Sequence, residues 1–143
     1  MKKISIVFTA ILLLQNCSKN DRVNNCNFLF DAAVNATVNL NLPQFSQLQF
    51  ISNSVYIPNQ GNAGIIVTNV GTGLRAWDAA DPNHAPTSCS LLSITGSEAT
   101  CGCQDANTYS LFTGAPLENG NLACGLKEYR VSPSGSNTFL ITN

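Results

Sequence analysis

Six cysteines and one histidine carry whatever metal, redox or nucleophilic chemistry this 143-residue chain has. Cys101-Gly102-Cys103 places two sulfurs two residues apart, with Cys89 and then His84 upstream of them. Three cysteines and a histidine form a donor set for a soft metal or an iron-sulfur cluster, although C-x-C is tighter than the spacing usual in zinc or cluster knuckles. The same sulfurs suit thiol-disulfide exchange, which needs an accessible thiolate and a resolving partner. No Lys or Arg lies close in sequence to lower a thiol pKa there. Asp78 and Asp81, three residues apart, could bind a cation or equally serve as turn and surface carboxylates. No serine is marked as the nucleophile of a hydrolytic triad around His84, and no glycine-rich phosphate loop precedes a helix. Trp77 alternates with Arg75 and reads as core.

The N-terminus bears on the redox state of these sulfurs. Lys2 and Lys3 precede an apolar run over residues 4–14, followed by Gln15-Asn16-Cys17. About 20 apolar residues are needed to cross a bilayer, so the run reads as the core of an export signal. With Leu14 three residues before it, Cys17 fits the lipidated first residue of a bacterial lipoprotein. The expected organisation is a signal peptide over residues 1–16, a lipidated polar tether over 17–27 and one domain over 28–143. Removing the signal leaves five Lys plus Arg against eight Asp plus Glu. Such an acidic chain has little to offer nucleic-acid phosphates, so no nucleic-acid partner is expected. Outside the cytoplasm thiols become disulfides. With Cys17 assigned to lipid, Cys26, Cys89, Cys101, Cys103 and Cys124 remain, an odd number, so at least one is free, ligated or paired between chains.

The elements that must position these residues read as β-strands. Residues 32–42 alternate, with Val34, Ala36, Val38, Leu40 and Leu42 on one face, and Pro43 is expected to end that strand. Short apolar runs follow at residues 55–57, 64–68, 74–77, 91–94, 98–101, 108–112, 126–131 and 138–142, separated by Gly, Asn and Pro clusters. No segment past the leader shows sustained helical periodicity. The reading is all-β, a small sandwich or barrel of short antiparallel strands.

From about Gly64 onward the order of features resembles a Rieske iron-sulfur domain, in particular divergent Rieske-like bacterial lipoproteins. Gly64-Ile65-Ile66-Val67 and Leu74-Arg75-Ala76-Trp77-Asp78 resemble the strands leading into the first ligand loop. Asp81-Pro82-Asn83-His84 stands in place of a C-P-H box, and Cys101-Gly102-Cys103-Gln104 in place of C-P-C-H. Tyr109 to Gly114 looks like the aromatic strand and glycine turn after the second box, and Leu126-Lys127-Glu128-Tyr129 like the family's closing element. Seventeen residues separate Asn83 from Cys101, compatible with the family's gap.

The resemblance implies a β-sandwich with two cysteine-bearing loops. It places the cluster ligands on Asp81, Asn83 or His84, Cys101 and Gln104, and a bridging disulfide on Cys89 and Cys103. A Rieske centre needs two thiolates and two imidazoles. Of the implied ligands only Cys101 keeps its family identity, and one histidine cannot supply two. Cys26 and Cys124 lie outside the boxes and are a candidate clip between the N-terminal segment and the last hairpin. The expectation is therefore an envelope-anchored Rieske-fold lipoprotein without an iron-sulfur cluster, acting as a structural or interaction module. Its expected partners are the membrane, through the lipid anchor, and an unknown envelope protein; no catalytic residue is assigned. The alternative is electron transfer by a 2Fe-2S cluster on altered ligands drawn from Cys89, Cys101, Cys103 and His84, which requires the bridging disulfide to be absent.

Overall fold

Period-two alternation builds the first strand. In the computed structural model, which describes residues 26–117 and 122–143, β1 is Asn35–Asn39, with Ala36 and Val38 buried and Asn35 and Thr37 facing solvent. The strand is shorter than residues 32–42. Leu40 has already left the ladder, and Leu42 is exposed. Pro43 does more than end the strand: it opens a short 3-10 helix, Pro43–Gln49, where its fixed φ and missing N–H suit the first turn. That helix buries one residue, Leu48, so it leaves no amphipathic stripe in the sequence.

The remaining strands are β2 (Ser54–Ile57), β3 (Ile65–Asn69), β4 (Leu74–Asp78), β5 (Leu92–Thr95), β6 (Glu98–Cys101), β7 (Thr108–Ser110), β8 (Glu128–Gly135) and β9 (Thr138–Thr142). They form two antiparallel sheets, a six-stranded one in the order β1-β9-β8-β4-β3-β2 and a three-stranded one in the order β5-β6-β7. The larger sheet curves as a half-barrel. β8 makes the corner, pairing with β4 at Tyr129 and Glu128 and with β9 from Arg130 onward, with a bulge between Pro133 and Gly135.

Two cores lie on opposite faces of β3 and β4. One gathers Val38, Ile65, Val67, Ala76, Tyr129 and Ile141; the other gathers Ile66, Trp77, Leu92, Ala99, Tyr109 and Leu111. A strand buried on both faces needs apolar residues without alternation, which is why residues 64–68 read as a continuous apolar run. Trp77 is anchored by its Nε1–H donating to the Leu111 carbonyl at 2.9 Å. Gly114, at φ +75°, lies so close to this ring that a Cβ there would come 2.6 Å from Trp77 Cζ3. These contacts clamp the small sheet onto the large one.

Between β4 and β5 runs the first cysteine-bearing loop, residues 79–91, and between β6 and β7 the second, residues 102–107. The proposed signal peptide and lipid-bearing Cys17 lie outside the described residues, as does most of the tether. Among the described residues, no helix is long and apolar enough to cross a membrane.

Candidate functional site

The two loops meet over the end of the small sheet. Cys89 of the first is joined to Cys103 of the second, and Cys26 is joined to Cys124, which leaves Cys101 as the free thiol among the described residues. Gly102 is required by the close approach of the loops, because a Cβ there would lie 2.9 Å from the Cys89 carbonyl oxygen. Cys101 ends β6 with its side chain buried against the second core.

Asp81 is the hub. It is fully buried, and both oxygens are occupied: Oδ1 accepts from the Tyr109 hydroxyl at 2.5 Å and the Asn83 backbone N–H at 2.9 Å. Oδ2 accepts from Asn107 Nδ2 at 2.9 Å and lies 3.1 Å from His84 Nδ1. Asn83 completes the network, donating from Nδ2 to the Tyr109 hydroxyl at 2.8 Å and to the Cys124 carbonyl at 2.9 Å. A buried carboxylate is tolerated only when its lone pairs are filled, and this chain fills them itself.

His84 and Cys101 sit at the edge of the hub. Cys101 Sγ is 3.5 Å from His84 Nδ1, and His84 Nε2 is 2.8 Å from Asp105 Oδ2. The thiol also contacts the Cys89 carbonyl at 3.6 Å and receives the Cys103 N–H at 3.4 Å. Burial, followed by the Asp81 carboxylate, pushes the Cys101 pKa from 9.0 up to about 12, against the opposing pull of the Cys103 N–H. At neutral pH it is a neutral thiol and a poor nucleophile. Burial and the Asp81 carboxylate likewise drive the Tyr109 pKa upward.

The structure thus brings Asp81, Asn83, His84 and Cys101 together, while Gln104 is exposed in the second loop. It bears out a turn-forming role for Asp78 and Asp81, whose Oδ1 atoms accept the backbone N–H two residues on, from Ala80 and Asn83, and corrects the reading of them as surface carboxylates or a shared cation site. Both are fully buried, and Asp78 belongs to a separate network in which Oδ2 accepts from Tyr129 at 2.6 Å and Oδ1 from the Ala80 N–H at 2.8 Å. Asp105, Asn107 and the Tyr109 hydroxyl were not singled out from the sequence. Asp105 lies two residues from Cys103, and that proximity was the available signal.

These residues do not fit a Rieske cluster. The positions expected to supply two thiolates and two imidazoles hold a carboxylate with both oxygens engaged at Asp81, the free thiol of Cys101, either the amide of Asn83, tied to Tyr109 and Cys124, or the one histidine at His84, and the exposed amide of Gln104. No family model matches this chain, and no curated protein matches it.

Proposed function

We propose that this chain is a cluster-free Rieske-fold lipoprotein, held at the bacterial cell envelope by lipid on Cys17 and serving as a structural or interaction module. The observation that carries the reading is the saturation of Asp81. The carboxylate standing at a cluster-ligand position is engaged by Tyr109, Asn107, Asn83 and His84, so the pocket between the loops is closed by the protein's own hydrogen bonds. The Cys89–Cys103 link ties the two loops together and closes a chain segment with a sequence separation of 14. In the chain-entropy picture a loop of that size contributes about 3 kcal/mol. Rigid loops presented at the end of a β-domain are a surface for a partner, and a buried neutral thiol is poorly suited to turnover.

The anchor is tested with the full chain produced in a Gram-negative host. The protein is expected in the membrane fraction and released by detergent, and Cys17→Ser is expected to move it to the soluble fraction. An unchanged distribution of the Cys17→Ser protein would refute the anchor. Crosslinking in intact cells, followed by mass spectrometry, then seeks the envelope partner.

A further inference from the structure

We infer that opening the Cys89–Cys103 disulfide creates a four-ligand site for a single soft divalent cation of the zinc type, formed by Cys89, Cys101, Cys103 and His84. This goes beyond the envelope-module reading and stands or falls apart from it. The sulfurs of Cys101 and Cys103 and a ring nitrogen of His84 lie within 4.8 Å of one another, and Cys89 is covalently joined to Cys103. One pair already has the separation that a metal demands. Zinc binds thiolate sulfur at about 2.3 Å and imidazole nitrogen at about 2.0 Å, so two such ligands of one tetrahedron stand about 3.5 Å apart. Cys101 Sγ and His84 Nδ1 are 3.5 Å apart.

The surroundings of His84 fit the same role. A metal-bound histidine usually gives its other N–H to a carboxylate, which fixes the tautomer and the ring orientation. Asp105 Oδ2 is 2.8 Å from Nε2, leaving Nδ1 toward the sulfurs. Asp81 retains the Tyr109, Asn107 and Asn83 hydrogen bonds when Nδ1 turns to a metal. Access exists on both counts, because Cys89 is exposed and His84 is partly so.

The chemistry balances with an external dithiol as reductant. Its thiolate attacks the exposed Cys89 sulfur and forms a mixed disulfide, breaking the bond to Cys103. Its second thiol then displaces Cys89, so the reagent leaves as its own disulfide and Cys89 and Cys103 remain as thiols. A divalent cation then binds three thiolates and neutral His84, and three protons are released to solvent. In the oxidised chain two of the four ligands are tied up in the disulfide, so the site is gated by redox state.

The test uses the purified full chain, oxidised or reduced anaerobically with a phosphine, which gives two electrons to each disulfide and takes an oxygen from water to become its oxide. Zn2+ is added and counted after desalting, with Co2+ as the optical probe. The expected result is one Zn2+ per reduced chain, none on the oxidised chain, and a tetrahedral thiolate-cobalt spectrum on reduction. His84→Ala should weaken Zn2+ binding more than 100-fold, beyond what loss of an outer-shell partner causes, and Asp105→Asn about 10-fold. Cys26 and Cys124 are reduced at the same time, and the His84→Ala variant separates their contribution. If reduction alone unfolds the chain, recovery of the β circular-dichroism signal on adding Zn2+ supports the site. Equal Zn2+ uptake by oxidised and reduced chain, unchanged affinity in His84→Ala, or a reduced chain that neither binds Zn2+ nor refolds with it would overturn it.

Discussion

Two buried aspartate-tyrosine pairs lie three residues apart on one stretch of chain, and they have different neighbours. Asp78 ends β4 facing the larger core, where its carboxylate accepts from Tyr129 and, through Oδ2, from both the backbone N–H and the side-chain Nδ2 of Asn62, each at 2.8 Å. The Tyr129 and Asn62 contacts join β4, β8 and the loop before β3, and the Ala80 N–H, donating to Oδ1 at 2.8 Å, closes the turn that follows β4. Asp81 is equally buried and equally saturated, yet its fourth contact is the only histidine of the chain, which in turn touches the free thiol. The first pair is a sealed brace. The second is a brace with reactive groups at its rim. Burial of a carboxylate is therefore not what marks a site in this molecule; the identity of the outermost contact is.

The comparison is broken most severely at Asp78. Asp78→Ala leaves the Tyr129, Asn62 and Ala80 donors without their acceptor, and about 4 kcal/mol of stability should be lost in urea unfolding, with the alkylation rate of Cys101 in the surviving folded protein unchanged. Cutting the link beside the second pair, with Cys89 and Cys103 both replaced by Ser, should cost about 3 kcal/mol in the same assay while Tyr129 titrates as before. Asp81→Asn is the finer instrument. It keeps one acceptor oxygen and should cost about 2 kcal/mol. It should also lower the Cys101 pKa, because the Asp81 carboxylate is one of the groups holding it up, and alkylation at fixed alkaline pH should accelerate. An Asp78 variant that changed Cys101 reactivity as much as the Asp81 variant would erase the distinction between the two pairs.

The smallest effect is in pH dependence. The Cys101 pKa is raised in the folded chain, so between 9.0 and about 12 the unfolded chain has released a proton that the folded chain retains. Deprotonation favours the unfolded state there, and stability should fall as pH rises through that window. The tyrosines Tyr109 and Tyr129, also raised by burial and their aspartate partners, act in the same sense at higher pH. Cys101→Ala should therefore flatten the first part of the alkaline decline, as read by unfolding midpoints at pH 8, 9 and 10.

Much of the architecture was legible because period two shows wherever only one face is buried. β1 was found from Ala36 and Val38, and β6 and β9 have the limits that their turn residues suggested. The 3-10 helix was hidden because only Leu48 among its seven residues is buried. The burial of Asp78 was missed because acids were read as surface. Counting by twos from Ala76 would have put Asp78 on the core face, and Ala76 pairs with Tyr129, the residue that bonds it. Asp81 lies beyond the strand in a loop, where no periodicity applies, so its partners Tyr109 and Asn107 could be found only from the three-dimensional meeting of the loops. The Cys89–Cys103 pairing was implied by the resemblance to Rieske domains, since spacing alone fixes no connectivity, and the clip between Cys26 and Cys124 came only as the remaining pair.

The central claim is that this pocket is closed by its own hydrogen bonds and carries no iron-sulfur cluster. Iron and acid-labile sulfide per chain, with an absorption spectrum, measured on the full-length protein purified anaerobically from cells supplied with iron and sulfur, test it most directly. The account predicts a colourless protein with neither iron nor sulfide. Two irons and two sulfides per chain, with a visible charge-transfer spectrum, would contradict it.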